Sequence, residues 1–302
     1  MGHSMRISLI PDECSSDPAT AFELGRRWGI EDYEIRQASR WRVPVGPGWA
    51  ADRVAAAVAD YGVNVTAISP GLFKPTMRTD GTTVPVSTET PDQVRRHLDE
   101  LLPAFLDFAG RLGTRRITVF ALPKPAGAAG PAPRAVIDAL AEAAEKASAA
   151  GFELLLENGA GSWADTAEAT TEVLEAVASP ALGLTWDPAN AAWADPKVDP
   201  VERGYPRLAR HVRNVHVKDV AFGAAGPGWA QLGDGQIDWP GQLRRLVDDG
   251  YAGPLTLEPH LQYNPETKLN LVARVERFAA HLREMLGALR IDGAKENPGE
   301  TT

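Results

Sequence analysis

The chain has 302 residues, a length that a single α/β barrel of about 250 residues and its extensions can fill. Its 40 acidic residues against 31 basic ones leave a formal charge of −9, which disfavours a nucleic-acid backbone as the main ligand. The one cysteine excludes an internal disulfide and fits a reducing compartment, and no run approaches the roughly 18 apolar residues of a membrane span; a soluble, cytoplasmic protein is expected.

Met1 to Ser4 read as an expression remnant ahead of Met5. The first strand is expected at Arg6 to Ile10, followed by Cys14, which reads as a small apolar filler because no base or second cysteine stands beside it. Strands follow at Asp32 to Arg36, Val63 to Ser69 and Arg116 to Phe120, short and mostly apolar as buried parallel strands are. Helices fit Asp52 to Tyr61, Pro91 to Leu112 and Pro133 to Ala150, each stopped by a glycine (62, 113, 151) that accepts positive φ without a Cβ clash.

In the second half, strands at Leu154 to Glu157, Leu182 to Asp187, Val212 to His216 and Leu255 to Glu258 alternate with helices at Asp165 to Ala178, Pro200 to Arg210, Pro240 to Asp249 and Pro265 to Leu286. Proline near a helix start is favoured because its missing N–H has no partner there in any case. Eight strands alternating with helices predict a single (β/α)8 TIM barrel over residues 5–290, with a disordered polar tail at 291–302. The connections Pro70 to Thr90, Leu122 to Pro133 and Val220 to Ile237 then fall on the catalytic face.

Each of the last four strands ends in a residue able to hold a divalent metal: Glu157, Asp187, His216 and Glu258. They are 30, 29 and 42 positions apart, the register of βα units of roughly 30 residues or more. The carboxyl ends of parallel barrel strands converge on one face, so the four are expected to meet there. A lone acid at a strand end is more often a helix cap or a solvated carboxylate. Four in succession point instead to a site for one divalent ion. Three carboxylates and an imidazole suit Mn2+ first, with Co2+, Mg2+ or Zn2+ as alternatives.

The runs Leu-Glu-Asn at 156–158, Trp-Asp-Pro-Ala-Asn at 186–190, Val-His-Val-Lys-Asp at 215–219, Leu-Gly-Asp-Gly-Gln-Ile-Asp-Trp at 232–239 and Gly-Tyr-Ala-Gly-Pro-Leu-Thr-Leu-Glu at 250–258 come in that order. In them the chain resembles the xylose isomerase-like TIM barrel superfamily, in particular its sugar phosphate isomerase/epimerase group. The resemblance implies that Glu157, Asp187, His216 and Glu258 are the metal ligands. It also implies that Glu157 and Glu258 are the acid/base pair flanking a bound sugar, acting through an enediolate. Two departures touch substrate contacts: Asn190 stands where many ketose epimerases have His, and the loop after His216 reads Val220-Ala221-Phe222 without their Arg.

Around the four, Lys218 shares the strand parity of His216 and is a candidate for a substrate oxygen or phosphate, or for an ion pair with Asp219 or another carboxylate. Asn190, Arg36 and His260 are further substrate-side candidates, as is Trp193, with Trp163 and Trp229 also on the expected rim; an aromatic face suits the C–H surface of a sugar. Gly233 and Gly235 around Asp234 read as a turn.

The reading is a divalent-metal-dependent sugar isomerase or epimerase acting on a small sugar, sugar phosphate or cyclitol, with homo-oligomerisation left open. The alternative is a metal-dependent dehydratase of a keto-cyclitol or keto-sugar. An endonuclease IV-like hydrolase ranks below both, because that chemistry uses more histidines than the six present and the chain is acidic. A non-enzymatic ligand-binding barrel would leave the four ligands without a purpose.

Overall fold

The computed structural model describes residues 5–74, 90–223, 226–261 and 270–295, with side chains as far as Leu289. Eight parallel strands close into a barrel: β1 (Arg6–Leu9), β2 (Asp32–Ile35), β3 (Asn64–Leu72), β4 (Arg116–Val119), β5 (Glu153–Glu157), β6 (Leu182–Trp186), β7 (Val212–Val217) and β8 (Pro254–Leu257). Each pairs with its sequence neighbours, and β8 returns to β1 with Arg6 opposite Pro254 and Leu9 opposite Leu257. The ring removes every sheet edge and buries the apolar strand residues against helices outside. All eight strands expected from the sequence are present.

The helices follow the expected order with two additions. Pro18–Arg27, capped by Asp17 through Thr20 N–H at 3.1 Å, and the short Pro188–Ala194 were not anticipated. The helix beginning at Pro91 runs to Arg111 but widens at His97–Leu101, where Leu102 N–H bonds back five residues to His97 C=O. Pro103 explains the widening: it has no N–H to give to Asp99 C=O, and its ring crowds that turn. Pro206 stands in the same relation to the widened turn Pro200–Gly204.

Three boundaries are corrected. The last helix is described from Leu271 to Lys295, so the beginning of the expected tail is helical; 265–269 and 296–302 lie outside the described residues. The connection expected at Val220–Ile237 opens as an antiparallel hairpin, Asp219–Gly223 with Gly226–Ala230. Of the connection Pro70–Thr90, Pro70 to Leu72 belong to β3, and 75–89 lie outside the described residues. Among the described residues no helix is long and apolar enough to cross a membrane.

Cys14 is buried, its thiol directed at the carbonyl of Pro11 at 3.3 Å. Burial, with Asp12 and Glu13 close by, pushes its pKa up to about 12, so the thiolate is scarce below that pH. The folded protein is therefore expected to resist a thiol reagent at pH 8 and to react at one thiol per chain once unfolded in guanidinium. Rapid labelling of the native protein would contradict this burial.

Candidate functional site

Glu157 closes β5, Asp187 follows β6, His216 lies in β7 and Glu258 follows β8. All four are buried, and one potential ligand atom from each lies within 4.8 Å of the others. His216 Nδ1 is 3.1 Å from Glu258 Oε2 and 3.6 Å from Glu157 Oε1. The convergence expected from strand register is therefore met.

Local sequence fixes how each of the four side chains points. Asp187 caps Pro188–Ala194, accepting Asn190 N–H at 2.8 Å through Oδ1, so Oδ2 is left for the cluster. Pro188 suits the first position of that helix. Asn158 exchanges two hydrogen bonds with the backbone of Asp187, at 2.7 and 2.8 Å, joining the ends of β5 and β6. Asn190 turns its amide to Glu157 Oε1 at 3.2 Å and to the carbonyl of Asn158 at 2.9 Å. An Asn at this position thus orients a carboxylate, whereas the sequence suggested a contact to substrate.

Below the cluster, the barrel interior is polar. Glu34, fully buried on β2, accepts from Thr118 at 3.1 Å and from Asn214 Nδ2 at 2.8 Å, and lies 3.0 Å from His216 Nε2. Thr256 extends the network to Asn214 at 2.8 Å. By holding Nε2, Glu34 turns Nδ1 of the same ring toward Glu157 and Glu258, the role of a carboxylate behind a ligating histidine. Sequence reading passed Glu34 by, although the period of two along β2 puts it on the inward side.

Lys218 enters the cluster itself. Its ammonium is 2.7 Å from Asp187 Oδ2 and 2.9 Å from Glu258 Oε2, and it is almost fully buried. It does not pair with Asp219, which instead gathers the N–H groups of Val220, Gly233, Gly235 and Ile237 at 2.9 to 3.2 Å. Gly233 adopts φ +83° in this turn, and a Cβ on Gly235 would run into the Asp219 carboxylate. The Gly-Asp-Gly run is thus a structural turn, as its sequence suggested.

Arg36 is clamped by carboxylates on three sides: Glu258 Oε1 at 2.6 Å, Glu13 at 2.6 Å and Asp12 at 2.6 Å. His260, φ +49°, lies 3.0 Å from Glu13 and 3.4 Å from Glu258. Asp12 and Glu13 were missed, yet they follow β1 at the same barrel face that revealed the other acids. Trp193 stacks on Trp229 at 4.6 Å, and Trp229 faces both Lys218 and His260. Trp163 stands apart, over Lys124.

The ionisation pattern follows from these contacts. Burial raises the Glu258 carboxyl, but Lys218, His260 and His216 outweigh it and hold it well below the usual carboxylate range. Glu157 is lowered in the same way, against its burial, chiefly by His216. At Asp187 burial wins over Lys218, and its pKa is raised. Burial disfavours the His216 imidazolium, yet Glu34, Glu157 and Glu258 carry its pKa well above the ordinary value.

Two buried atoms bear on whether a metal fits. Asp187 Oδ2 and His216 Nδ1 have no hydrogen-bond partner; Lys218 is near the former but is placed for an ion pair, without hydrogen-bond geometry. Buried polar atoms are seldom left so, and a divalent cation would satisfy both together with the two Glu carboxylates. The donor set fits such an ion.

The family described as "Xylose isomerase-like TIM barrel" matches residues 22–283, and the chain belongs to it. No curated protein matches the sequence. Among solved structures, an L-ribulose 3-epimerase superposes with TM-score 0.71 at 21% identity, covering 99% of this chain and 100% of that one. A xylose isomerase domain protein from Planctomyces limnophilus gives 0.69 at 22%, covering 97% and 99%. A probable 3-DHS dehydratase from Bacillus anthracis gives 0.62 at 18%, covering 90% and 98%. These likenesses carry the fold.

Replacing Glu34 by Gln keeps its volume and removes the charge behind His216. Divalent-cation affinity is expected to fall about 10- to 100-fold with the circular dichroism spectrum unchanged. Equal Mn2+ affinity in a calorimetric titration of the variant would show that Glu34 does not position the imidazole.

Proposed function

We propose that this chain is a divalent-metal-dependent isomerase or epimerase of a small keto or aldo sugar, free or phosphorylated. The observation that carries the reading is the pair Glu157 and Glu258, which face one imidazole from strands with two others between them, at a ring nitrogen that has no hydrogen-bond partner. Glu157, Asp187, His216 and Glu258 would hold the ion, Mn2+ being the first choice for this donor set. When bound, such an ion polarises a substrate carbonyl and stabilises the negative charge that develops on its oxygen.

The protein's own groups then handle the proton. Glu258 is kept ionised by Lys218, His260 and His216, as a proton acceptor must be, and Arg36 fixes its other oxygen. Glu157, held by Asn190, serves the other side of the substrate. Proton return to the opposite face of the same carbon inverts it; delivery to the neighbouring carbon isomerises the sugar. The stacked Trp193 and Trp229 offer an apolar face to sugar C–H groups and limit water at the mouth.

A lyase is the second reading, favoured by the residues around the ligands. Asn190 engages Glu157, the hairpin after β7 carries no Arg among its described residues, and Lys218 sits among the carboxylates. Loss of a β-hydroxyl after the same proton abstraction would give an unsaturated ketone.

Gentle purification followed by elemental analysis is expected to find about one divalent metal per chain. In a screen of keto-sugars and cyclitols with Mn2+, solvent hydrogen should exchange into the carbon beside the carbonyl without loss of water. Glu258→Gln should slow that exchange at least about 100-fold while the fold is retained, because an amide cannot act as the base. Normal exchange in the variant would remove Glu258 from the mechanism, and an unsaturated product would select the lyase.

A further inference from the structure

Among the described residues, four cationic side chains follow strand ends at the mouth of the site, and they divide into two kinds. Arg36 and Lys218 are neutralised by carboxylates at 2.6 to 2.9 Å. Arg42 and Lys74 are not: among the described residues neither has a carboxylate partner. Arg42, in the short antiparallel pair Gln37–Ala38 with Trp41–Arg42 after β2, gives one hydrogen bond, to the carbonyl of Ser69 at 2.7 Å. Lys74, just past β3, rests its ammonium 4.5 Å above the ring of Phe120.

Both are half-buried, and a cation partly withdrawn from water without a counter-ion is costly to keep. Burial and the neighbouring Arg42 push the Lys74 ammonium down to about 7, and burial with Arg36 pushes Arg42 down to about 10. The charges of Glu157 and Glu258 reach both, and that of Asp12 reaches Arg42. Among the described residues, Arg36 and Lys218 are each given an acid and these two are not. An anion from outside would complete them. Arginine offers a planar fork to two oxygens and lysine a mobile point charge, a pairing that suits a carboxylate or a phosphate.

We propose that Arg42 and Lys74 form an anion clamp at the β2–β3 side of the mouth, so that the substrate carries a carboxylate or phosphate group held away from the reacting carbon. The inference rests on the proposed function for the reacting end of that substrate. It narrows the class from sugars at large to sugar phosphates, sugar acids and carboxylated cyclitols. Ser69 C=O fixes one edge of the Arg42 guanidinium, and the Phe120 face supports Lys74, so the clamp is partly preorganised.

The test uses the full chain titrated calorimetrically with inorganic phosphate and, separately, with malonate, in chloride-free buffer with and without Mn2+. One anion per chain is expected to bind in both metal conditions. Arg42→Gln and Lys74→Gln should each weaken it about tenfold or more, while Mn2+ affinity stays within about twofold of wild type. Binding of phosphate alone identifies a phosphorylated substrate, and binding of malonate alone a carboxylated one. No binding of either anion, equal binding in the variants, or binding seen only with Mn2+ would overturn the clamp. Proton exchange on neutral ketoses and metal content are read without either anion, so they judge the proposed function separately.

Discussion

A carboxylate with no access to water, Glu34 in the middle of the barrel, constrains what lies around it. A charge there is tolerable only when donors surround it, and Thr118 on β4, Asn214 on β7 and His216 on β7 supply them. Those contacts tie β2 to β4 and β7, strands it does not pair with. They also fix one edge of the His216 ring, which decides where its other nitrogen points. The geometry of the acidic/His cluster is thus set from beneath, by an interior that is polar where barrels are commonly filled by branched apolar side chains.

Above that floor, buried carboxylates are managed by placement of cations. Lys218 lies between Asp187 and Glu258, and Arg36 gathers Asp12, Glu13 and Glu258. Low local dielectric makes each contact strong and each missing partner expensive, so the mouth is either paired or poised to bind. Lys218 can hold its position because Trp239 Nε1 donates to its carbonyl at 3.1 Å and the adjoining Asp219 anchors the turn that follows. The Val-His-Val-Lys-Asp run therefore combines a member of the acidic/His cluster, an ion pair and scaffold within five residues.

Much of this was legible in the sequence because the signal was periodic. Strand-end acids recur at the spacing of βα units, and parallel strands deliver their carboxyl ends to one face. What stayed hidden depends on contacts between distant segments. Glu34 looked like an ordinary polar residue at a strand end and Arg36 like a substrate-side candidate, and nothing near them in sequence announces His216 or Glu258 as their partners. The hold of Asn190 on Glu157 stayed hidden for a related reason: the two are a whole βα unit apart. The helix Pro18–Arg27 was overlooked because its apolar positions are sparse, although Asp17-Pro18 is a sound start signal. Pro103 and Pro206 show the reverse case, where proline inside a helix widens a turn without ending it.

The stacked indoles at the mouth have an optical consequence. Trp229 lies 4.6 Å from Trp193, 4.9 Å from the Lys218 ammonium and 5.4 Å from the His260 ring. An excited indole responds to the charges and dipoles beside it, so the emission of this pair is tied to whatever rearranges Lys218 or enters between the rings and the carboxylates. The pair is a light-based reporter on the rim of the site, placed there by packing, and its signal is the part of the emission that substitution of Trp193 or Trp229 removes from that of the other six tryptophans.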